Sequence, residues 1–294
     1  MVSIGVPVFN GENTLASMLD SLLSQTFTDF EIIISDNAST DKTADIAKEY
    51  AQRDQRVRYN LQAKNIGPEP NFKYVLDQAI GRYFMWSASD DTRSTNFLYE
   101  NVSFLDQHTD YVASTSPNCF EGQDQKGEEV VRFELSGSKD DRIKDFFRYC
   151  WVSHGIFNSV IRTEVLQACE MVGKSFLGAD WAVDLYLASK GKMHRTEGGM
   201  MVSGAQGISN SANAWKRYRT SLVGWVFPFY KVSLYTLKLT AHRPLKVRIQ
   251  YLKILCDLNM RAAYNQFHAE FYPAYFRNIR PWINKLRGRK SCNS

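Results

Sequence analysis

The chain has 294 residues, 44% of them hydrophobic, and carries 36 Lys and Arg against 31 Asp and Glu for a formal charge of +5. This length and apolar content suit one large α/β domain with an extension, or two modest domains, and exclude a mainly disordered protein. The five cysteines, Cys119, Cys150, Cys169, Cys256 and Cys292, form no CxxC pair and keep no regular spacing, which argues against a disulfide framework or a zinc knuckle and for reduced thiols in the cytosol.

The first strand-like run, Val2 to Val8, follows no basic leader, so a signal peptide is not expected. Asn10-Gly11 then turns the chain into a helix from about Glu12, with Leu15, Leu19, Leu22 and Leu23 at helical spacing. Phe30 to Asp36 reads as a second strand, and Ser39 or Thr40 can cap the helix that follows. Val57 to Leu61 is a third strand. The Gly/Pro-rich connection from Asn65 to Pro70 leads into a helix ending near Gly81. Arg82 to Ser89 is the fourth strand and Asn96 to Gln107 the next helix. Strand, turn and helix repeated four times predict a Rossmann-like, mostly parallel sheet with helices on both faces.

Beyond Tyr111 the period loosens. Tyr111 to Thr115 is extended, Glu121 to Gly127 reads as an exposed turn, Asp140 to Tyr149 is helical and Gly155 to Arg162 extended. A helix is expected from Gly178 to Ala188, stopped by Gly191, and then a strand from Met193 to Val202. With no low-complexity linker in between, residues 1–210 are read as one domain, with a ligand-binding half over 1–110 and a second half over 111–210 that would bind an acceptor.

Residues 211–294 differ in character. Trp215 to Ser294 holds 16 Lys and Arg against only Asp257 and Glu270, so a head of formal charge −9 is followed by a tail of +14. Leu245, Ile249, Leu252 and Cys256 recur at 4-3-4 spacing with Lys246, Arg248 and Lys253 between them, which predicts a basic amphipathic helical extension. No apolar run reaches the ~18 to 20 residues that span a bilayer. Three uses of the tail stay open: peripheral contact with an anionic membrane, self-association through the helices, and packing on the head. Nucleic acid is not expected, because no binding module is present and the head is acidic.

The second and fourth strands both end in carboxylates, Asp36 and the pair Asp90-Asp91. The carboxyl edge of a parallel sheet is where α/β proteins bind ligands, and carboxylates there can hold a divalent cation against a diphosphate. An isolated strand-end Asp such as Asp36 can equally cap a turn, and Asp-Asp alone can be an exposed acidic turn.

Val6-Pro-Val-Phe-Asn10, Ile34-Ser-Asp-Asn-Ala-Ser-Thr-Asp41, Asn65-Ile-Gly67 and Ser89-Asp-Asp91 resemble the inverting family-2 glycosyltransferases of the GT-A fold, well over about residues 1 to 110 and more weakly to about 210. The resemblance implies transfer of a sugar from a nucleoside-diphosphate-sugar, UDP-sugar favoured, to a saccharide or lipid-linked saccharide hydroxyl in surface polysaccharide or glycolipid synthesis. Such an enzyme would work in the cytoplasm at the inner face of the cell membrane. By position, Pro7, Phe9 and Glu12 would line the base pocket, Asp36 would accept an imide N–H of the base, and Lys64 would touch the nucleotide. Asp91 would ligate Mn²⁺ or Mg²⁺, with Asp90 supporting it toward the ribose or an outer-shell water. Asp180 falls where the family carries its catalytic base, although Ala179 replaces the first acid of the usual Glu-Asp pair and Ser89 the first of the acidic triplet. Asp184, one helical turn on, is the competing base. His154 and Gln206 would lie near donor or acceptor, Trp181 would offer a platform for a sugar face, and Trp86 reads as core. Two other classes remain: a non-catalytic sugar-binding or scaffold protein, and a sugar-phosphate nucleotidyltransferase. The second would need a Gly-rich basic loop that Asn10-Gly-Glu-Asn13 does not supply.

Overall fold

The computed structural model describes residues 1–120, 134–151, 155–204, 217–219 and 221–274. The chain divides into two compact units, Met1–Ala212 and Asn213–Ser294.

In the first unit β1 (Val2–Val8), β2 (Phe30–Asp36), β3 (Val57–Leu61) and β4 (Tyr83–Trp86) alternate with α1 (Leu15–Leu23), α2 (Thr43–Arg53) and α3 (Pro68–Asp77). All four strands run parallel, with β1 between β2 and β4. Every residue of β1 and β2 is buried, as their uninterrupted apolar runs require of strands covered on both faces. Leu15, Met18, Leu19 and Leu22 of α1 are fully buried in the same core. Pro7 is tolerated inside a central strand because β1 pairs with β4 only from Val2 to Gly5; at Pro7 its one partner is Ser35 of β2.

The sheet is completed by β6 (Tyr111–Thr115), β8 (Val160–Arg162) and β9 (Lys192–Arg195), giving seven strands in the order β3-β2-β1-β4-β8-β6-β9. β8 is antiparallel to both its neighbours and β9 is parallel to β6, so the sheet is mostly parallel with one reversed strand. A small second sheet has the order β5-β10-β7, from β5 (Thr92–Arg93), β7 (Asn118–Phe120) and β10 (Met201–Ser203). The strand expected from Met193 to Val202 is therefore two strands in two sheets, separated by the turn at Glu197-Gly-Gly199.

Three helices cover this half: α4 (Phe97–Gln107), α5 (Lys139–Tyr149) and α7 (Ala179–Lys190), with the short α6 (Thr163–Gln167) between the last two. Ser138 and Asp141 form a reciprocal capping box at the start of α5. Buried Arg142 then ties α5 to α7, donating from Nε to the Ala188 carbonyl at 2.7 Å and from Nη1 to the Gly137 carbonyl at 2.6 Å. Because α7 leads directly into the start of β9 and packs on β6 and β9, its N-terminus lies toward the edge where the parallel strands end.

The second unit holds α8 (Val223–Val226), α9 (Tyr230–Leu239) and the 30-residue α10 (Leu245–Ala274). Tyr251, Leu255, Leu258 and Ala262 of α10 are buried, as are Val232 and Tyr235 of α9. Asn259 joins the two helices, accepting from the Phe229 N–H at 2.9 Å and donating to Ser233 Oγ at 2.9 Å. No described helix is long and apolar enough to cross a membrane.

Candidate active site

Three loops after β1, β2 and β3 clasp one another at the carboxyl edge. The Asn10 N–H donates to Ser39 Oγ at 2.9 Å, the Thr40 N–H to Asn10 Oδ1 at 2.9 Å and the Gly11 N–H to Thr43 Oγ1 at 2.8 Å. Asn10 and Ala38 hold positive φ at 54° and 59°, a conformation that is rare for residues other than glycine and easiest for Asn. Asn37 reaches the third loop, accepting from the Ile66 N–H at 2.8 Å and donating to the Gly67 carbonyl at 3.1 Å.

Within this frame Asp36 is fully buried. Its Oδ1 accepts from the Ser39 N–H at 2.8 Å and its Oδ2 from the Tyr59 hydroxyl at 3.0 Å. Burial and the Asp36 charge push the Tyr59 phenol well above its ordinary pKa, which keeps it a donor. Asp36 thus does the turn-capping work that its position allowed, and each oxygen retains a second lone pair. Phe9, the residue after Val8, which pairs with Asp36, is 49% exposed, and Pro7 is buried in β1. Glu12 is exposed but directed at the second loop, where its carboxylate accepts from the Lys42 N–H at 3.1 Å. Lys64 is exposed on the loop between β3 and α3.

Asp90 and Asp91 follow the end of β4, which stops at Trp86 rather than Ser89. The two carboxylates differ. Asp90 is half-buried, while Asp91 is buried and accepts from Asn158 Nδ2 at 3.3 Å and from the Gly204 N–H at 3.2 Å. Burial raises the Asp91 carboxyl above the usual range; the charge of Arg93 opposes that and Asp90 adds to it. Any side chain at residue 204 would collide with the Asp90 carboxylate, so only glycine lets that backbone approach.

Arg93, which the sequence reading passed over, is buried under this pair. Its Nη1 donates to Ser87 Oγ at 2.7 Å and its Nη2 to the Trp86 carbonyl at 3.1 Å; burial lowers its pKa to about 10 despite Asp91. Asn158 and Gly204 were likewise missed. The glycine after an extended run was the one available signal, since such a residue often marks a close backbone approach. Arg195, at the end of β9, donates from Nη2 to Asn118 Oδ1 at 3.0 Å, and desolvation lowers its pKa.

Asp180 sits in the first turn of α7, after Gly178 at φ 79°, ψ 27°. Its side chain is exposed at the surface, but desolvation by the protein packed around it raises the carboxyl above the usual range, against the backbone N–H groups of Trp181 and Asp180 that pull it down. Asp184 is buried; desolvation first, and then the charge of Asp180, push it well above that range. Trp181 packs edge-on against Trp151 at 5.4 Å and Phe146 at 6.2 Å. Trp86 is core, stacked on Phe157 at 4.4 Å. His154 and Gln206 lie outside the described residues.

Among the described residues no group of three or more His, Cys, Asp or Glu forms a metal cage. Asp90, Asp91 and the Ser89 hydroxyl are hard oxygen donors of the kind Mg²⁺ and Mn²⁺ take when substrate phosphates and water complete the shell. Among the described residues these donors suit a cation whose shell a diphosphate and water would complete.

The family model described as Glycosyl transferase family 2 matches residues 3–164, more than half of the chain. The chain belongs to glycosyl transferase family 2. This family-2 chain is 32% identical over 108 residues to the poly(ribitol-phosphate) beta-N-acetylglucosaminyltransferase TarS of Staphylococcus aureus, covering 36% of the chain and 19% of TarS. It is 34% identical over 104 residues to the glycosyltransferase GlyA of Streptococcus pneumoniae, covering 34% of the chain and 15% of GlyA. The matched stretch is therefore less than a quarter of either relative. Its fold is shared with S. aureus TarS 1–349 in complex with UDP-GlcNAc at a TM-score of 0.64 and 17% identity, over 97% of this chain and 79% of that one. A mannosyltransferase from Pyrobaculum calidifontis, in complex with GDP-Man and Mn²⁺, matches at a TM-score of 0.57 and 16% identity, over 97% and 78%. These likenesses establish the GT-A fold that the strand-end motifs implied.

Proposed function

We propose that the family-2 chain transfers a sugar with inversion from a nucleoside-diphosphate-sugar, UDP-sugar favoured, to a hydroxyl of a saccharide or lipid-linked saccharide at the inner face of the cell membrane. The observation that carries this reading is the gathering of Asp36, the Asp90-Asp91 pair and Asp180 along one edge of the sheet. The UDP-GlcNAc complex of TarS supports the donor class. Residues 1–210 would form the catalytic domain and 211–294 its extension.

In this account the loop of Pro7, Phe9 and Glu12 borders the base, Asp36 accepts its imide N–H through a remaining lone pair, and Lys64 lies within reach of the nucleotide. Asp91 would hold Mn²⁺ or Mg²⁺ with Asp90 in support, and the ion when bound would offset charge on the departing diphosphate. Asp90 is the more open of the two, and Asp91 is steadied by Asn158 and Gly204. On the acceptor side Asp180 takes the hydroxyl proton as that oxygen bonds to the anomeric carbon. The bond from the anomeric carbon to the diphosphate oxygen breaks, and the nucleoside diphosphate leaves with its electron pair. One displacement inverts the anomeric configuration. Asp180 suits this task better than Asp184 because it is exposed and open to an acceptor, whereas Asp184 is buried. Desolvation, and then the charge of Asp180, raise the Asp184 carboxyl well above the ordinary range.

The test is a panel of nucleotide sugars with and without Mn²⁺, read by nucleoside diphosphate release and by the anomeric configuration of the product. Release from a UDP-sugar with inversion is expected. Pyrophosphate release from a nucleoside triphosphate and a sugar phosphate would replace this reading with nucleotidyl transfer. Binding without turnover of any donor would make the chain a sugar-binding protein.

A further inference from the structure

The helix α10 has two apolar faces. One, with Tyr251, Leu255, Leu258 and Ala262, is buried in its own unit. The other carries Leu245, Ile249, Leu252, Met260, Tyr264 and Phe267, between 44% and 70% exposed, at spacings that keep them on one stripe of the helix. From Leu245 to Phe267 the stripe runs roughly 33 Å at 1.5 Å per residue. Exposed apolar residues scattered singly need no explanation, but a continuous row of this length marks a contact surface.

Charge selects the occupant. The two acidic residues of this unit are already committed: Asp257 pairs with Arg261 at 2.9 Å, and Glu270 with Arg219 at 2.7 Å. Lys246, Arg248 and Lys253, beside the stripe, are exposed and form no ion pair among the described residues. A second copy docked stripe to stripe would bring the same cations to the contact, with the two carboxylates of its own second unit engaged in the same pairs. An anionic leaflet supplies hydrocarbon for the stripe and negative charge for its rim. At the far end Arg219 lies over the Trp225 ring at 3.7 Å, and Trp225 and Phe267 both pack on Phe271, at 5.9 and 4.6 Å. Such an aromatic group suits the headgroup level of a bilayer, where one side is apolar and the other wet.

We propose that the outer stripe of α10 is a docking surface on which the chain lies against an anionic lipid bilayer, with Lys246, Arg248 and Lys253 reading the headgroup charge and the row from Leu245 to Phe267 entering the acyl boundary. This gives the peripheral placement proposed above a surface and a lipid class, and it does not depend on the donor or on turnover. The helix lies on the membrane and does not span it.

The experiment is sedimentation of the full chain with phosphatidylcholine vesicles, with and without phosphatidylglycerol, at low and high salt. Binding to the anionic vesicles alone, weakened by salt, is expected. The triple variant Lys246→Gln, Arg248→Gln, Lys253→Gln should lose roughly 100-fold in partitioning, about fivefold per cation. Ile249→Gln with Phe267→Gln should lose about tenfold or more, while Ile80→Gln, an exposed apolar residue of the first unit, should change nothing. Both sets leave the buried face of α10 intact, and unchanged thermal melting confirms that they fold. Equal binding to neutral and anionic vesicles, or none to either, overturns the proposal. So does a dimer in analytical ultracentrifugation that Phe267→Gln dissolves in a chain that ignores vesicles, because the stripe then belongs to a second copy. If the chain docks but uses no donor sugar, the surface stands and the transferase reading falls.

Discussion

Asp180 and Asp184 are one helical turn apart in sequence, and their surroundings raise both carboxyls to different extents: Asp180 is exposed, while Asp184 is buried and is pushed up further by desolvation and by the charge of Asp180. Asp180→Asn is expected to keep shape and donor affinity while lowering transfer by roughly 10² to 10⁴-fold, the usual contribution of a positioned acid–base group. Single-turnover kinetics alongside nucleotide titration separates the two effects; near-parent transfer in Asp180→Asn removes it as the base. Asp184 makes a different prediction. Its pKa is raised in the folded protein, so the unfolded chain gives up this proton at lower pH than the folded one. Folding therefore loses stability as pH rises above the ordinary Asp range, and the loss is complete only above the folded pKa. Asp184→Asn abolishes that loss: its melting temperature should exceed the parent's at neutral pH, by roughly 3 to 5 °C for each tenfold in proton affinity, and the gap should close in acid. A gap that widens in acid would show Asp184 to be stabilised as a carboxylate instead. At the other end of the site, Asp36→Ala leaves the part-buried partners Ser39 N–H and Tyr59 hydroxyl without their acceptor. It should cost roughly 1 kcal/mol of stability for each of these part-buried hydrogen bonds as well as weakening UDP binding, and chemical denaturation beside calorimetric titration reads both. Weakened folding with unchanged nucleotide affinity would leave Asp36 a turn cap alone.

At the scale of an element, α7 is held at both ends, at Gly178 beside Asp180 and at Ala188. Gly178 enters it in the left-handed region at φ 79°, ψ 27°, where a Cβ costs roughly 1 to 2 kcal/mol. Gly178→Ala should lower the melting temperature by a few degrees and, by moving the first turn, reduce transfer more than donor binding. The Arg142 guanidinium fixes the opposite end through the Ala188 carbonyl. Arg142→Met keeps the length of the stem but strips a buried carbonyl of its donor, and should destabilise by roughly 1 to 3 kcal/mol, read as a lower denaturant midpoint. The element boundaries show how local periodicity works and where it stops. The apolar runs of β1 and β2 announced themselves because both faces of those strands are covered. The run from Met193 to Val202 read as one strand because extended residues look alike whichever sheet they join; β6 and β5, distant in sequence, pair with its two halves and divide it.

Across the whole molecule, the sequence by itself determined the parallel α/β head, the acidic strand ends of Asp36 and Asp90-Asp91, the candidate base near the start of a helix, and the basic amphipathic tail. Each is a local property: burial writes a period of 2 or 3.6 into nearby residues, and loop chemistry writes itself into a few consecutive positions. Only the tertiary structure decided which of the paired acids is buried, and through whom. Asn158 and Gly204 reach Asp91 from 67 and 113 residues away, and Arg93 is buried beneath it because its β5 segment pairs with β10. The reversed β8 within the parallel sheet is likewise a matter of long-range pairing that no period records. The tail divides in the same way. Its spacing gave the stripe of Leu245, Ile249, Leu252 and Cys256, but packing against α9 selected which of the two apolar faces of α10 is consumed and which stays outside. A helix with apolar residues on two sides does not encode that choice locally, because the energy that makes it comes from the neighbour.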